Sequence, residues 1–445
     1  MGDIGSGGVS GTPKTRLSRR AFEGMALGAP WSRLSWAPGA ADAQDSRLVL
    51  VVLRGGLDGL AAVPAPGDPS HAAARGLLAE ADETLLPLDG TFALHPALTQ
   101  LHRLYARKQM LVVHAAGLPY YDRCHVEAQN FLEGGGVRPF ALDTGWLGRA
   151  LACQGESSQP GLLFDTAVPL ALRQTASGKP AGTDRVPSAC IDLMRRLERL
   201  YLDDPARGLA LARANALHLE GDMGLEGMGL AGNGRGLGFV TLAQRAAEFL
   251  GTPGGPKSVM LELGGWDTHA HQAHSAGPLA ANLRRLDTGL GALQAGLMNT
   301  LQGNVWQHTV VLVVSEFGRE VAMNAELGTD HGTGGVAFVL GGRVQGGQVM
   351  TDWPGLAPRE RFEGRDLRVT TDLRGLIKGV LSDHLQVGQR AMGWVLPGCE
   401  RVPALQVMAP VVASRPAPPP GPLAAPVERW APSCSAPISL YSEAA

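Results

Sequence analysis

The sequence predicts an α/β fold, namely a doubly wound, mostly parallel central sheet with helices on both faces. Three observations predict it. Continuous apolar runs such as residues 47–53 are typical of strands that are covered on both sides. These runs alternate with segments of helical periodicity. The 60 glycines and 31 prolines indicate many turns and argue against a helical bundle.

The predicted strands and helices follow one another from residue 47 to residue 386. Apolar runs predict the strands, and one-sided apolar patterns such as Leu98, Leu101 and Leu104 predict the helices. In order, the predicted elements are strand 47–53, helix 96–107, strand 109–114, helices 124–133 and 144–153, strand 258–263, helix 277–302, strands 309–314 and 335–340, and helix 371–386. Residues 154–256 are less regular and are predicted to form a mostly helical insertion or cap.

Both ends of the chain differ from the α/β domain, which we place at residues 44–408. Residues 1–43 contain the pair Arg19-Arg20, a weakly apolar stretch and then small residues, as in a twin-arginine export signal. We therefore expect a periplasmic or extracellular protein, with a disordered basic N-terminus as the alternative. Residues 409–445 are rich in proline and are predicted to be mostly disordered.

Composition excludes several classes of partner. A formal net charge of −2 gives the chain no pull toward nucleic acid or an anionic membrane. No apolar run of about 18 residues follows the N-terminal segment, so no membrane span is expected. The five cysteines contain no Cys-x-x-Cys pair, which argues against a structural zinc ribbon. The oligomeric state stays open.

A carboxylate and two imidazoles follow the predicted strand 258–263. Asp267 and His271 would converge on a metal ion if a helical turn began there, whereas Asp267 and His269 would converge in extended backbone. An aspartate N-cap with solvated histidines is the alternative. Imidazole with carboxylate suits zinc, manganese or iron better than calcium. The sequence does not settle among zinc, manganese and calcium, or between one ion and two.

Two further sites supply candidate ligands at strand ends. Asp330 and His331 lie in a glycine-rich stretch after the strand 309–314, where a sharp loop could bring both to one metal, or let one ligate while the other orients a partner. Asp58 follows the first strand, and carboxyl ends of parallel strands are where ligands bind in such sheets. The alternative for Asp58 is an ordinary turn aspartate.

Two positions could take part in catalysis. Cys124 opens a predicted helix, whose N-terminus lowers a thiol pKa, so it could be a nucleophile beside His125 or an incidental buried cysteine. Arg319 follows a strand, and its planar fork suits the oxygens of a phosphate or sulfate group. Glu316 could be a ligand or could orient one. A helix N-cap with a structural ion pair is the alternative for this segment.

Taken in order, these motifs resemble a secreted bacterial family, domain of unknown function 1501, within the alkaline phosphatase and sulfatase superfamily. The resemblance covers about residues 46–400. The segments that carry it are 53–59, 122–134, 144–147, 264–269, 315–319 and 328–332. It implies the same fold and one or two divalent ions.

The resemblance also implies roles for individual residues. The implied metal ligands are Asp58, Asp267, His271, Asp330 and His331, and the implied nucleophile lies near Cys124. The family's Asp-Thr-His pattern makes His269 an alternative to His271. Serine is usual in the family where this chain has Cys124, and Val126 and Ala128 do not fit the cysteine conversion that sulfatases use. The last histidine among the superfamily's metal ligands has no clear match in this chain, and His384 is the candidate for it.

We therefore expect an exported metal-dependent hydrolase of a phosphate or sulfate ester. Its substrate would be a small anionic ester held by Arg319. The alternative is a catalytically degenerate relative that acts as a secreted binding or envelope-assembly accessory protein.

Overall fold

A computed structural model describes residues 46–79, 84–154, 162–163, 169–173, 238–272 and 277–408. The predicted export signal at 1–43 and the predicted tail at 409–445 lie outside the described residues, as does most of the predicted insertion at 154–256. Within the described part, we find no helix whose length and apolarity would let it cross a membrane.

A mostly parallel sheet of eight strands lies at the centre. The strands in chain order are β1 (Arg47–Leu53), β2 (Leu86–Pro87), β3 (Ala93–Leu94), β4 (Met110–Gly117), β5 (Leu162–Leu163), β6 (Ser258–Leu263), β7 (Thr309–Ser315), β8 (Gly335–Gly341), β9 (Gln348–Met350) and β10 (Thr371–Asp372). The order in the sheet is β10-β4-β8-β7-β1-β6-β5, with β9 paired to β4, while β2 and β3 form a separate pair. Strand β8 runs antiparallel to β4 and β7, and the other pairings of the large sheet are parallel.

Helices connect these strands, and five of them lie close to the positions that the periodicity predicts. They are α1 (Gly59–Ala62), α2 (His71–Arg75), α3 (Thr99–Ala106), α4 (His125–Gly134), α5 (Trp146–Ala152), α6 (Phe239–Leu250), α7 (Pro278–Met298), α8 (Leu373–Asp383) and α9 (Gln389–Val395). Helix α8 begins two residues later than predicted because the Asp372 carboxylate accepts a hydrogen bond from the Arg374 N–H and so caps the helix there. The described part of the predicted helical insertion contributes α6 and also the short strand β5, which extends the sheet beside β6.

Both faces of the sheet are buried. On β1, Val49 and Val51 belong to one apolar cluster with leucines of α7, whereas Leu50 and Val52 belong to a second cluster with residues of α4, α5 and α8. All four side chains are at most 2% exposed. Burying such a side chain stabilises a fold by about 1.5–3 kcal/mol. The fold class predicted from the uninterrupted apolar runs is therefore confirmed.

The carboxyl ends of three neighbouring strands meet at one edge of the sheet. Leu53, the last residue of β1, lies beside Leu263 of β6 and Ser315 of β7. The segments after these strands pack so closely that a Cβ on Gly55 would lie 2.6 Å from the Asp267 backbone nitrogen. Gly55 has a φ of 120°, which glycine adopts without strain. Polar side chains after β1, β6 and β7 therefore come close together.

Candidate metal centre

Three residues from distant parts of the chain bring possible metal ligands together. His125 is the first residue of α4, Asp267 follows β6, and His331 lies in the loop between β7 and β8, yet one ligand atom of each lies within 4.8 Å of the others. His331 Nε2 is 3.0 Å from Asp267 Oδ1 and 3.0 Å from His125 Nε2. His125 Nε2 is 3.5 Å from Asp267 Oδ2.

His269 adds a fourth group to this set. Its Nε2 lies 3.0 Å from His331 Nε2 and 2.9 Å from Asp267 Oδ1. We call His125, Asp267, His269 and His331 the ligand cluster. In a tetrahedral zinc site with bonds of about 2.0–2.1 Å, neighbouring ligand atoms are about 3.3 Å apart. The spacings from His331 Nε2 to the other two imidazoles, and from the Asp267 carboxylate to all three, are therefore close to those that a single bound ion requires.

The second nitrogen of each imidazole in the ligand cluster faces an acceptor. The contacts are those of His125 Nδ1 with Glu316 Oε1 at 2.9 Å, His269 Nδ1 with Asp330 Oδ1 at 2.9 Å, and His331 Nδ1 with the Arg123 carbonyl oxygen at 3.0 Å. Carboxylate and carbonyl oxygens can only accept, so each Nδ1 carries the hydrogen. In a neutral imidazole the Nε2 lone pair then points at the shared centre, as in metal-bound histidines.

When no metal is bound, a proton on His125 contributes to the contacts within the ligand cluster. Burial opposes the charged form of His125, but hydrogen bonds with Asp267 and Glu316 outweigh it and raise the pKa of His125 to about 9. Burial also opposes ionisation of Asp267, yet hydrogen bonds from His125 and Arg319 hold its pKa well below the usual value. In the metal-free protein His125 is thus a cation at pH 7, and a divalent ion would displace its proton.

Arg319 lies behind Asp267 and not where a substrate would reach it. Its side chain is fully buried, and its Nη1 donates to Asp267 Oδ1 at 2.6 Å. Its Nε donates to Thr329 Oγ1 at 3.1 Å, and its Nη2 donates to the Thr329 carbonyl oxygen. This placement corrects the prediction that Arg319 grips the substrate anion, because all three nitrogens are committed inside the protein. Arg319 holds a ligand instead.

Asp58 does not join the ligand cluster. Its Oδ2 accepts from Arg75 Nη2 at 2.6 Å and from Gln272 Nε2 at 2.5 Å. Its Oδ1 accepts from the Ala61 N–H at 3.1 Å and so caps α1. The Asp58 side chain is 1% exposed. The carboxylate therefore has a structural role. This agrees in part with the alternative given above, in which Asp58 is an ordinary turn aspartate.

The backbone decides between the two histidines that follow Asp267. Residues 264–269 are irregular and no helical turn begins at Asp267, so the geometry that would bring in His271 does not occur. His271 is exposed, and its backbone N–H donates to the Glu326 carbonyl oxygen. His269 faces the cluster instead. Asp330 orients His269 and does not itself lie among the four ligand groups.

At the start of α4 the structure places His125, and not its neighbour Cys124, in the site. The Cys124 side chain packs against the apolar cluster on the α4 side of the sheet. The sequence analysis mentioned His125 only as a companion of that cysteine. A signal for its role was the pair His125 and Gln129 one helical turn apart, because both side chains reach the same Glu316 oxygen at 2.9 Å.

A protein-family model matches the part of the chain that holds most of this site. The family described as "Protein of unknown function (DUF1501)" matches residues 237–384, which is less than half of the chain but includes Asp267, His269 and His331. No curated protein matches the chain.

Several solved structures match the chain at low identity. The crystal structure of Ps i-CgsB in complex with k-i-k-neocarrahexaose has a TM-score of 0.38 and 10% identity, and the match covers 78% of this chain and 73% of that one. The PsFucS1 sulfatase from Pseudoalteromonas sp. has a TM-score of 0.34 and 15% identity, covering 69% of this chain and 65% of that one. Similarity at this level does not extend to function.

Proposed function

We propose that the chain is a metal-dependent hydrolase of a phosphate or sulfate ester. The observation that carries this proposal is that His125 Nε2 and His269 Nε2 both lie close to His331 Nε2 and to the Asp267 carboxylate, with every Nδ1 held by an acceptor. Three imidazoles and a carboxylate favour zinc or a similar transition metal over calcium and magnesium. A divalent ion held there supplies Lewis-acid polarisation of an ester oxygen and activation of water.

The surroundings of the ligand cluster suit catalysis on an anion. The side chains of Asp267 and His269 are each 44% exposed, so a substrate can approach from solvent, whereas the supporting Glu316 is fully buried. His125 is the first residue of α4, and the helix N-terminus carries a partial positive charge that favours an oxyanion. Arg319 and Glu316 hold Asp267 and His125 in place, which reduces the motion of the site before a substrate arrives.

Metal analysis and an ester assay together test the proposal. Protein purified after zinc or manganese reconstitution is expected to contain bound metal and to cleave an aryl phosphate or an aryl sulfate. Asp267→Ala is expected to lose both properties. His271→Ala is the matched control, since that exposed histidine lies four residues away and should leave metal and turnover unchanged. Wild-type protein that stays free of zinc, manganese and calcium after reconstitution would refute the proposal.

One observation favours a second candidate, a secreted metal-binding protein without turnover. Cys124, the predicted nucleophile, packs against the apolar cluster. Stoichiometric metal with no cleavage of either ester class would support this second candidate.

Export by the twin-arginine route is a separate proposal. Replacing Arg19 and Arg20 with lysine and finding unchanged export would refute it.

A further inference from the structure

We propose that the centre takes one divalent ion and that the guanidinium of Arg319 excludes a second. This inference rests on the proposed function, because it concerns the same ligand cluster. The sequence left open whether one ion or two are bound. Three observations favour one ion. They are the surroundings of Asp267, the contacts that the other carboxylates already make, and the balance of charge.

Arg319 is a fixed positive charge beside the ligand that two ions would share. In two-metal sites the ions lie about 3.5–4 Å apart, so a carboxylate between them must offer an oxygen to each. Asp267 Oδ1 already receives Arg319 Nη1 at 2.6 Å. Two bonds to Thr329 prevent the buried guanidinium from swinging away. The same oxygen lies 2.9 Å from His269 Nε2 and 3.0 Å from His331 Nε2, so one ion beside these imidazoles already shares it with the guanidinium, and a second ion there would meet that charge at close range.

Asp58 cannot serve a second ion without breaking a buried pair. Its side chain and that of Arg75 are 1% and 0% exposed, and they lie 2.6 Å apart. Gln272 binds the same oxygen, and α1 uses the other. Releasing this carboxylate would leave the Arg75 charge buried without its partner, which is strongly unfavourable.

The remaining carboxylates at the site are committed to histidines. Glu316 Oε1 binds His125 Nδ1 and Gln129 Nε2, each at 2.9 Å, and its Oε2 accepts from Ser315 Oγ at 3.0 Å. Asp330 Oδ1 binds His269 Nδ1. Each therefore orients an imidazole that one ion would use, and turning it toward a second ion would release that imidazole.

Charge balance gives the same answer. Three carboxylates lie in or directly against the ligand cluster, namely Asp267, Glu316 and Asp330. The guanidinium of Arg319 and one divalent ion together neutralise them. A second divalent ion would add two positive charges next to a guanidinium that is held in place, and these three carboxylates would not balance them.

Cobalt titration of the full chain tests the inference. Chelator-treated protein is titrated with Co²⁺ while its visible absorption is followed, and the loaded protein is examined by electron paramagnetic resonance. We expect an end point at one equivalent and no coupling between ions. Two equivalents or a coupled pair would overturn the inference and leave the proposed function standing. An absence of binding would overturn both.

Variants show whether Arg319 is the cause. Arg319→Gln removes the charge and is expected to admit a second, weaker equivalent of Co²⁺, whereas Arg319→Lys keeps the charge and should still take one. Asp58→Asn is expected to take one equivalent with affinity within about threefold of wild type. Circular dichroism verifies that each variant is folded. One equivalent in folded Arg319→Gln would show that the guanidinium is not what excludes the second ion, and a lost equivalent in Asp58→Asn would place that carboxylate in the metal site.

Discussion

Asp58 and Asp267 follow neighbouring parallel strands, yet they have opposite environments. The Asp58 side chain is 1% exposed and pairs with Arg75, which is itself fully buried. The Asp267 side chain is 44% exposed and faces three imidazoles. Both positions satisfy the rule that ligands bind at the carboxyl ends of strands. Their partners, and not their places in the sheet, therefore distinguish the structural aspartate from the candidate ligand.

A histidine in the buried region around Asp58 and a histidine in the ligand cluster around Asp267 differ in the same way. His114, on β4, lies in the buried region. Its Nε2 contacts the Val63 carbonyl oxygen, and burial lowers its pKa to about 4. For His125, hydrogen bonds with Asp267 and Glu316 outweigh burial and raise the pKa to about 9. One region keeps its imidazole neutral, whereas the other holds an imidazole whose proton a metal ion can replace.

The largest expected effect comes from breaking the buried Asp58 pair. Asp58→Asn leaves the Arg75 charge buried without a partner, and such losses cost about 3–5 kcal/mol in the free energy of unfolding. Asparagine can still cap α1, so we expect the lower end, about 3 kcal/mol. Chemical denaturation followed by circular dichroism measures the change.

Asp372→Asn is the matched control for that variant. Asp372 also caps a helix and pairs with an arginine at 2.6 Å, but its side chain is 27% exposed. Water screens this pair, so we expect a loss of about 1 kcal/mol or less. Equal losses in the two variants would show that burial is not what separates them.

Acid should lower the free energy of unfolding through protonation of the buried His114. Its folded pKa of about 4 lies below the ordinary 6.5, so between these values the unfolded chain binds a proton that the folded chain does not. The stabilisation is therefore complete above pH 6.5 and is lost as the pH falls toward 4, by up to about 3 kcal/mol.

Urea unfolding of chelator-treated protein between pH 4 and pH 7 measures this loss. His384 is buried, and burial lowers its pKa to about 4 as well, so it should contribute a similar acid slope. His114→Gln is expected to remove about half of the total slope while His384→Gln removes the other half. A slope that His114→Gln leaves unchanged would contradict the assignment to that histidine.

The five long strands of the sheet could be predicted from local sequence because burial on both faces leaves a continuous apolar run, whereas the short strands β2, β3, β5, β9 and β10 were not predicted. Strands β1 and β6 begin and end where the runs predict, and β7 extends one residue further. The helix ends were harder to predict, since they depend on caps such as Asp372 and on turns. Helix α7, for example, ends at Met298, where Asn299 and the turn after it stop the pattern.

The site was predictable where its residues share a short motif or follow a strand end. Asp267 and His269 share a motif, and His331 follows a strand end. By contrast, the contact of His125 with Glu316 joins residues 191 positions apart. Arg319 could be given a role only from its contact with Asp267, 52 positions away, and spacing alone carries no information about such contacts.

The smallest expected effect concerns the carboxylates that support the imidazoles. Removing such a support lowers metal affinity by about 10–100-fold. Glu316→Gln should lie near the upper end, because Glu316 is fully buried, whereas Asp330→Asn should lie near the lower end, because that side chain is 52% exposed. Competition with a chelator measures the affinities. Glu320→Gln is the matched control, since Glu320 pairs with Arg365 and not with an imidazole of the cluster. If Asp330→Asn weakened metal binding more than Glu316→Gln, burial would not govern how firmly a carboxylate holds its histidine. The contrast between the buried Asp58 and the exposed Asp267 would then not extend to the residues around the ligands.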